Sequence, residues 1–246
     1  MDTKPPLIIA NWKMNGDLHD STQLLEELKN ISYENLIICP PHTLLYSANK
    51  IFSGTNLGLG AQDISKNDPT SGPYTGDISA AMISGMGCKY VIIGHSERRV
   101  NNNESNNDIH EKIKNAHLNG LCAILCIGEN LQEREQGMAL ATIEKQLATI
   151  PNSANYSNLI IAYEPVWAIG AKKSADAHII AEIVAHIDRY LRKEIEKNFN
   201  ILYGGSVNKT NIESILSIEG VSGALIGALS LKIDEFKDII GIASRI

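Results

Sequence analysis

Short runs of consecutive apolar residues alternate along the whole chain with longer stretches in which apolar residues recur every three or four positions. The runs are Leu7 to Ala10, Leu36 to Cys39, Leu57 to Ala61, Tyr90 to Ile93, Leu121 to Ile127, Leu159 to Tyr163, Ile201 to Tyr203 and Ala224 to Ile226. Apolar side chains at successive rather than alternate positions imply strands covered on both faces, as in a parallel sheet sheathed by helices. The intervening stretches supply the helices. In Ala177 to Lys197, for instance, Ile179, Ile180, Ile183, Val184, Ile187 and Leu191 recur at helical spacing among charges. Asp176 stands where it caps that helix, Asp17 where it caps one from Leu18 to Lys29, and Asn208 reads as a further N-cap. Ala80-Ala81-Met82-Ile83 and Met86 read as core packing. Eight units of roughly 31 residues each predict a (β/α)8 barrel. No linker or low-complexity tract interrupts the pattern, so residues 1–246 read as a single α/β domain.

Composition narrows the function. With 43% hydrophobic and 20% charged residues the chain can bury a large core. A net charge of −6, with no Lys/Arg cluster longer than a pair, argues against nucleic acid or an anionic membrane surface as partner; an anionic ligand must be held locally. Leu7 to Ala10 is too short for a signal-peptide core and no apolar stretch approaches a membrane span, so a cytoplasmic location is expected. Cys39, Cys88, Cys122 and Cys126 form no CxxC pair and suit reduced thiols.

In such a barrel the chemistry gathers at the C-terminal ends of the strands. The sixth run stops at Glu164, followed at once by Pro165, which cannot donate to a sheet, and by the mostly apolar Val166 to Ile169. A carboxylate beside apolar side chains is a stronger base than one in water, and an apolar loop suits a lid that excludes water. An edge-strand Glu before a packed loop explains that stretch equally well. Asn11, Trp12 and Lys13 follow the first run, Gly94-His95-Ser96-Glu97 the fourth, Gly204-Gly205-Ser206 the seventh and Gly227 the eighth. Singly these have plain readings: Asn11 a turn former, Lys13 a surface lysine, His95 a satisfied core histidine, Glu97 a partner for Lys13 or an arginine. A helix beginning at Ser96 would oppose positive charge on His95 and favour a neutral imidazole. Glycines after the last two runs let backbone N–H groups approach a phosphate. Neither a Walker A sequence nor GxGxxG is present, so nothing suggests a nucleotide. Lys66 to Asp77 is a long polar excursion of the kind that serves a partner or a ligand.

Five collinear motifs, Asn11-Trp12-Lys13-Met14-Asn15-Gly16, Gly94-His95-Ser96-Glu97-Arg98-Arg99, Cys126-Ile127-Gly128-Glu129, the Glu164 stretch and Tyr203-Gly204-Gly205-Ser206-Val207, resemble those of the triosephosphate isomerases over essentially the whole chain. The resemblance implies a TIM barrel that interconverts dihydroxyacetone phosphate and glyceraldehyde 3-phosphate through an enediolate, in glycolysis and gluconeogenesis, with no metal and no organic cofactor. It makes Glu164 the base, His95 the group that polarises the carbonyl, Lys13 the positive charge near phosphate and enediolate, and Asn11 a nearby hydrogen-bonding group. Gly170, Ser206, Gly227 and Ala228 would hold the phosphate through backbone N–H groups while the loop from Pro165 to Ala175 closes. Lys66 to Asp77, with Thr75 near its tip, resembles the family's dimer loop and implies a homodimer. Three departures stand out: Ala171-Lys172-Lys173 where the family has Thr-Gly-Lys, Gly227-Ala228 where it has Gly-Gly, and Asp63 where it has Asn after Gln62. Two alternatives are an isomerase for sugar phosphates of other chain length and a barrel kept for a non-catalytic binding role; the joint presence of Lys13, His95 and Glu164 argues against both.

Overall fold

The structure, a computed structural model, describes residues 5–152, 156–170, 174–193 and 199–246. Ala171-Lys172-Lys173 of the lid and the expected helix tail toward Lys197 lie outside the described residues. The first half of the chain forms β1 (Leu7–Asn11), α1 (Leu18–Lys29), β2 (Leu36–Cys39), α2 (Leu45–Ile51), β3 (Gly58–Ala61), α3 (Ala80–Gly85), β4 (Tyr90–Ile93), α4 (Ser96–Asn101) and α5 (Asn106–Leu118). The second half forms β5 (Cys122–Ile127), α6 (Leu131–Glu135), α7 (Ala139–Leu147), β6 (Leu159–Tyr163), α8 (Ala177–Arg192), β7 (Asn200–Tyr203), α9 (Ile212–Leu216), β8 (Val221–Ile226) and α10 (Ile233–Ala243). All strands are parallel and close into a barrel in sequence order, β1 pairing with β2 through Ile8 and Leu36 and with β8 through Ile8 and Ala224.

The unbroken apolar runs have a two-sided cause. Ile9, Ile37, Ile92, Ile124, Ile160, Leu202 and Leu225 fill the barrel interior with Cys39 and Cys126, while Ile8, Leu36, Ile38, Val91 and Ile93 face outward. There they meet helix residues such as Leu25, Ile113, Ile183 and Phe236. Successive strand residues point to opposite faces, so a strand with apolar layers on both sides has no polar position to alternate with. β8 begins at Val221, three residues before the expected Ala224, because Ser222-Gly223 hides it. The glycine there is steric: a Cβ on Gly223 would sit 1.9 Å from the carbonyl oxygen of Leu7 on β1.

Helix starts follow the anticipated chemistry unevenly. Asp17 caps α1, accepting from the amides of His19 at 2.9 Å and Asp20 at 3.0 Å. Asp176 occupies the N-cap of α8 without a side-chain capping bond. Asn208 accepts from the Thr210 amide at 2.8 Å and opens the turn leading to α9, whose own N-cap is Asn211. Met82 and Met86 depart from the core reading: Ala80 and Ile83 are the buried residues of the short α3, and both methionines are exposed.

Residues 66–77 contain no helix or strand yet are internally braced. The Asp77 carboxylate accepts from Ser65 Oγ at 2.5 Å and Asn67 Nδ2 at 2.9 Å, and Asp68 accepts from the Thr70 amide at 2.7 Å. Bonds from Ser65 and Asn67 hold the Asp77 carboxyl below its ordinary range, and bonds from Thr70 do the same for Asp68. Among the described residues no helix is long and apolar enough to cross a membrane. Replacing Asp17 by Ala should cost about 1 kcal/mol in urea unfolding. Ile124→Ala, which opens a cavity inside the barrel, should cost roughly 2–5 kcal/mol in the same measurement.

Candidate active site

The carboxyl ends of the strands enclose a cavity of about 300 Å³ lined by Asn11, Lys13, His95, Glu164, Gly170, Ser206, Gly227 and Ala228 among others. Every residue singled out in the sequence for catalysis or phosphate binding thus meets at one opening. Ala228 begins a short 3-10 turn, Ala228–Leu231, beside Gly227.

Glu164 follows β6 directly, and its side chain is only 3% exposed. Its amide donates to Ile127 O at 2.7 Å, extending the pairing of β6 with β5 by one step. The backbone on either side has room for it only because two neighbours are glycines. A Cβ on Gly128 would lie 1.8 Å from the Glu164 carbonyl oxygen, and one on Gly204 would lie 2.6 Å from Glu164 Cγ. Oε1 stands 3.3 Å from His95 Nε2, and among the described residues Oε2 has no hydrogen-bond partner. An acceptor-only group held this way has a lone pair available for a proton from elsewhere.

His95 is the N-cap residue of α4, and its Nδ1 accepts from the Glu97 amide at 3.2 Å. Glu97 Oε2 is 3.7 Å from the same nitrogen, too far for a hydrogen bond. A nitrogen that accepts from a backbone N–H carries no proton, so the hydrogen of the neutral ring sits on Nε2, facing Glu164. The anticipated opposition between the helix start and a charged ring is therefore a direct bond.

Lys13 adopts φ = +53°, a left-handed conformation unusual for a residue with a side chain. Asn11 Oδ1 accepts from its amide at 3.0 Å, and Gln62 Nε2 donates to its carbonyl at 2.9 Å and to Cys39 O at 2.9 Å. Nζ reaches Glu97 Oε1 at 2.5 Å, the pairing expected for that carboxylate. Gln62 was not singled out in the sequence; a glutamine just past a strand carries no signal until the loop it holds is known.

Asp63, anticipated as an extra carboxylate, is neutralised locally. It accepts from Lys112 Nζ at 2.6 Å and lies 2.9 Å from Arg98 Nε, while Glu104 also pairs with both cations. Burial pushes the Asp63 carboxyl up, against the opposing pull of Lys112.

The loop after β6, expected to act as a lid, is tied at both ends. Glu129, fully buried, accepts through Oε1 from Trp167 Nε1 at 3.0 Å, Tyr163 Oη at 3.2 Å and Arg134 Nε at 2.9 Å, and its carbonyl accepts from the Val166 amide at 3.0 Å. Ser206 Oγ donates to Ala168 O at 2.9 Å, and at the far end the Ala175 amide donates to Tyr203 Oη at 2.9 Å. Glu129 and Tyr203 lie in motifs visible in the sequence, but nothing local to either motif points to the lid.

All four cysteines are free thiols. Burial pushes Cys88 and Cys122 to about 12 and Cys126 well above its ordinary value, where the charge of Glu164 adds to the effect. Iodoacetamide at pH 8 should therefore leave the native thiols unmodified and label them all after denaturation, as read by intact-mass spectrometry.

A family model described as triosephosphate isomerase matches residues 6–243. The triosephosphate isomerase of Bartonella bacilliformis is 41% identical, the alignment covering 98% of each chain. That of Mycoplasmopsis pulmonis is 40% identical over 96% of this chain and 97% of its own. The crystal structure of triosephosphate isomerase from Bartonella henselae superposes with a TM-score of 0.89 at 40% identity, covering 98% of this chain and 100% of that one. With its barrel, its facing acid and imidazole and its glycine-lined turns, the chain belongs to the triosephosphate isomerase family.

Proposed function

We propose that Glu164, His95 and Lys13 carry out the reaction of that family, the interconversion of dihydroxyacetone phosphate and glyceraldehyde 3-phosphate, in this chain. The observation that carries the assignment is the 3.3 Å approach of Glu164 Oε1 to His95 Nε2 inside the cavity that Lys13 and the glycine turns also line. Glu164 removes a proton from the carbon beside the carbonyl. The Nε2–H of His95 donates to the carbonyl oxygen as negative charge builds there, then moves a proton between the two oxygens of the enediolate. Glu164 returns its proton to the neighbouring carbon, completing the isomerisation without net gain or loss.

Lys13 faces phosphate and enediolate with its charge, and Asn11 holds the Lys13 backbone in the left-handed form that aims it. The amides of Gly170, Ser206, Gly227 and Ala228 take the phosphate, with the lid from Pro165 to Ala175 closing above. Closure keeps water from the enediolate, which otherwise eliminates phosphate, and strengthens every charge interaction inside. No metal or organic cofactor enters this sequence of steps.

The chain acts as a cytoplasmic homodimer in this reading. Tyr74 is exposed within the braced loop from Lys66 to Asp77 with Thr75, and Met14, Tyr46, Met82, Met86 and Val100 are exposed in other segments following β1 to β4. Large apolar side chains left in water favour burial against a partner.

In a coupled assay on the two triose phosphates, Glu164→Gln should lower kcat by about 10²–10⁴-fold with Tm preserved; wild-type turnover in a folded variant would remove Glu164 from the role of base. Tyr203→Phe, which deletes the bond to the Ala175 amide, should lower turnover by about tenfold, the equivalent of one lost hydrogen bond. Thr75→Arg should shift the protein from dimer to monomer in sedimentation velocity.

A further inference from the structure

We propose that Gln146, a residue of α7 outside the barrel, positions the catalytic base by clamping the backbone on which it rests. The inference rests on Glu164 being that base. The side-chain amide of Gln146 engages one residue twice: its Oε1 accepts from the Gly128 amide at 2.7 Å, and its Nε2 donates to the Gly128 carbonyl at 3.0 Å.

The strand geometry explains why a side chain is needed there. Along an extended chain, successive residues offer their N–H and C=O groups to opposite sides. Ile127 and Glu129 turn their carbonyls toward the end of β6, where they accept from the amides of Glu164 at 2.7 Å and Val166 at 3.0 Å. Gly128, between them, turns its own pair toward the side of β4. The β4–β5 pairing has already ended at Ile93 and Leu125, and the chain leaves the sheet at Gly94. The amide of Gln146 takes the place of the missing strand residue, one donor and one acceptor, and so satisfies backbone groups that would otherwise lack partners.

This matters for the base because the contact is so close. A Cβ on Gly128 would fall 1.8 Å from the Glu164 carbonyl oxygen, so the Glu164 backbone lies directly on the clamped residue. A cavity of about 160 Å³ lined by Gln146 and Glu164 together with Ser96 and Val166 leaves room beside the base for it to shift if its floor loosens. A displacement of about 1 Å in a proton-transfer geometry costs on the order of 10²-fold in rate. Ser206 and Gly227 of the turns after β7 and β8 are held by Asn211 and Ser230 rather than by Gly128, so the loss falls chiefly on kcat.

The test is Gln146→Met, similar in length but able to make neither bond, with Gln146→Glu, which keeps the acceptor for the Gly128 amide and loses the donor. Steady-state kinetics would be measured with ordinary substrate and with substrate deuterated at the carbon that loses its proton. The expected result is a kcat lowered about 10–10²-fold in Gln146→Met, less in Gln146→Glu, with KM within about twofold and a larger isotope effect in both. A folded Gln146→Met with parental kcat and isotope effect, changed only in Tm, overturns the proposal. Should Gln146→Met not fold, Gln146→Glu decides by the same readout. Glu164→Asp, measured alongside, separates the two levels: if it is impaired while the Gln146 variants are not, the positioning role alone fails. If Glu164→Asp keeps parental kcat and isotope effect, the base assignment fails and takes the Gln146 role with it.

Discussion

The site depends on one steric constraint, the seating of the Glu164 backbone and side chain between two strands that are each followed by glycine. Gly128 on one side and Gly204 on the other leave no space for a Cβ, at 1.8 Å and 2.6 Å respectively from Glu164 atoms. That closeness places a carboxylate at the rim of a barrel whose interior is apolar, within 3.3 Å of an imidazole nitrogen that bears its proton. Packing of this density transmits small displacements, so backbone two residues away from the reacting atoms belongs to the chemistry.

Charge around the cavity is arranged in closed sets. Lys13 is matched by Glu97, and Asp63 and Glu104 are matched by Lys112 and Arg98. Removing one member of a buried set leaves an uncompensated charge, which costs far more than the set contributes as a whole. The Asp63 carboxylate, where the family has Asn, joins two cations and does not line the cavity that holds Glu164, His95 and Lys13. Backbone strain is handled likewise. Lys13 holds a left-handed conformation because Asn11 and Gln62 bind its amide and its carbonyl from opposite sides.

The lid is coupled to the same scaffold. Glu129 gathers Trp167, Tyr163 and Arg134 on one oxygen at the near hinge, and Tyr203 meets Ala175 at the far one. Both anchors stand within two residues of the glycines that flank the base, Gly128 and Gly204. The anchors of the loop after β6 and the placement of the carboxylate are thereby connected through a few residues at the ends of β5 and β7.

Much of this was written in the order of the residues. Eight apolar runs separated by amphipathic helices specify strands buried on both faces, and that burial requires a closed parallel sheet with its chemistry at the carboxyl ends. Glu164, His95, Lys13 and the glycine turns are each marked by where they stand relative to a run. Local pattern was silent where the partner is distant in sequence. Ser222-Gly223 reads as a loop until Leu7 packs against it, Met82 and Met86 read as core until their helix shows which face it buries, and Gln62, Glu129 and Gln146 resemble ordinary polar residues. Their roles consist of bonds to groups far along the chain: the Lys13 carbonyl for Gln62, the Trp167 indole N–H for Glu129's carboxylate and the Gly128 backbone for Gln146. Periodicity records which side of an element is apolar, so the sequence determined the layers and the rim; a hydrogen bond depends on a distance of a few tenths of an ångström, and only the closing of the barrel decided those.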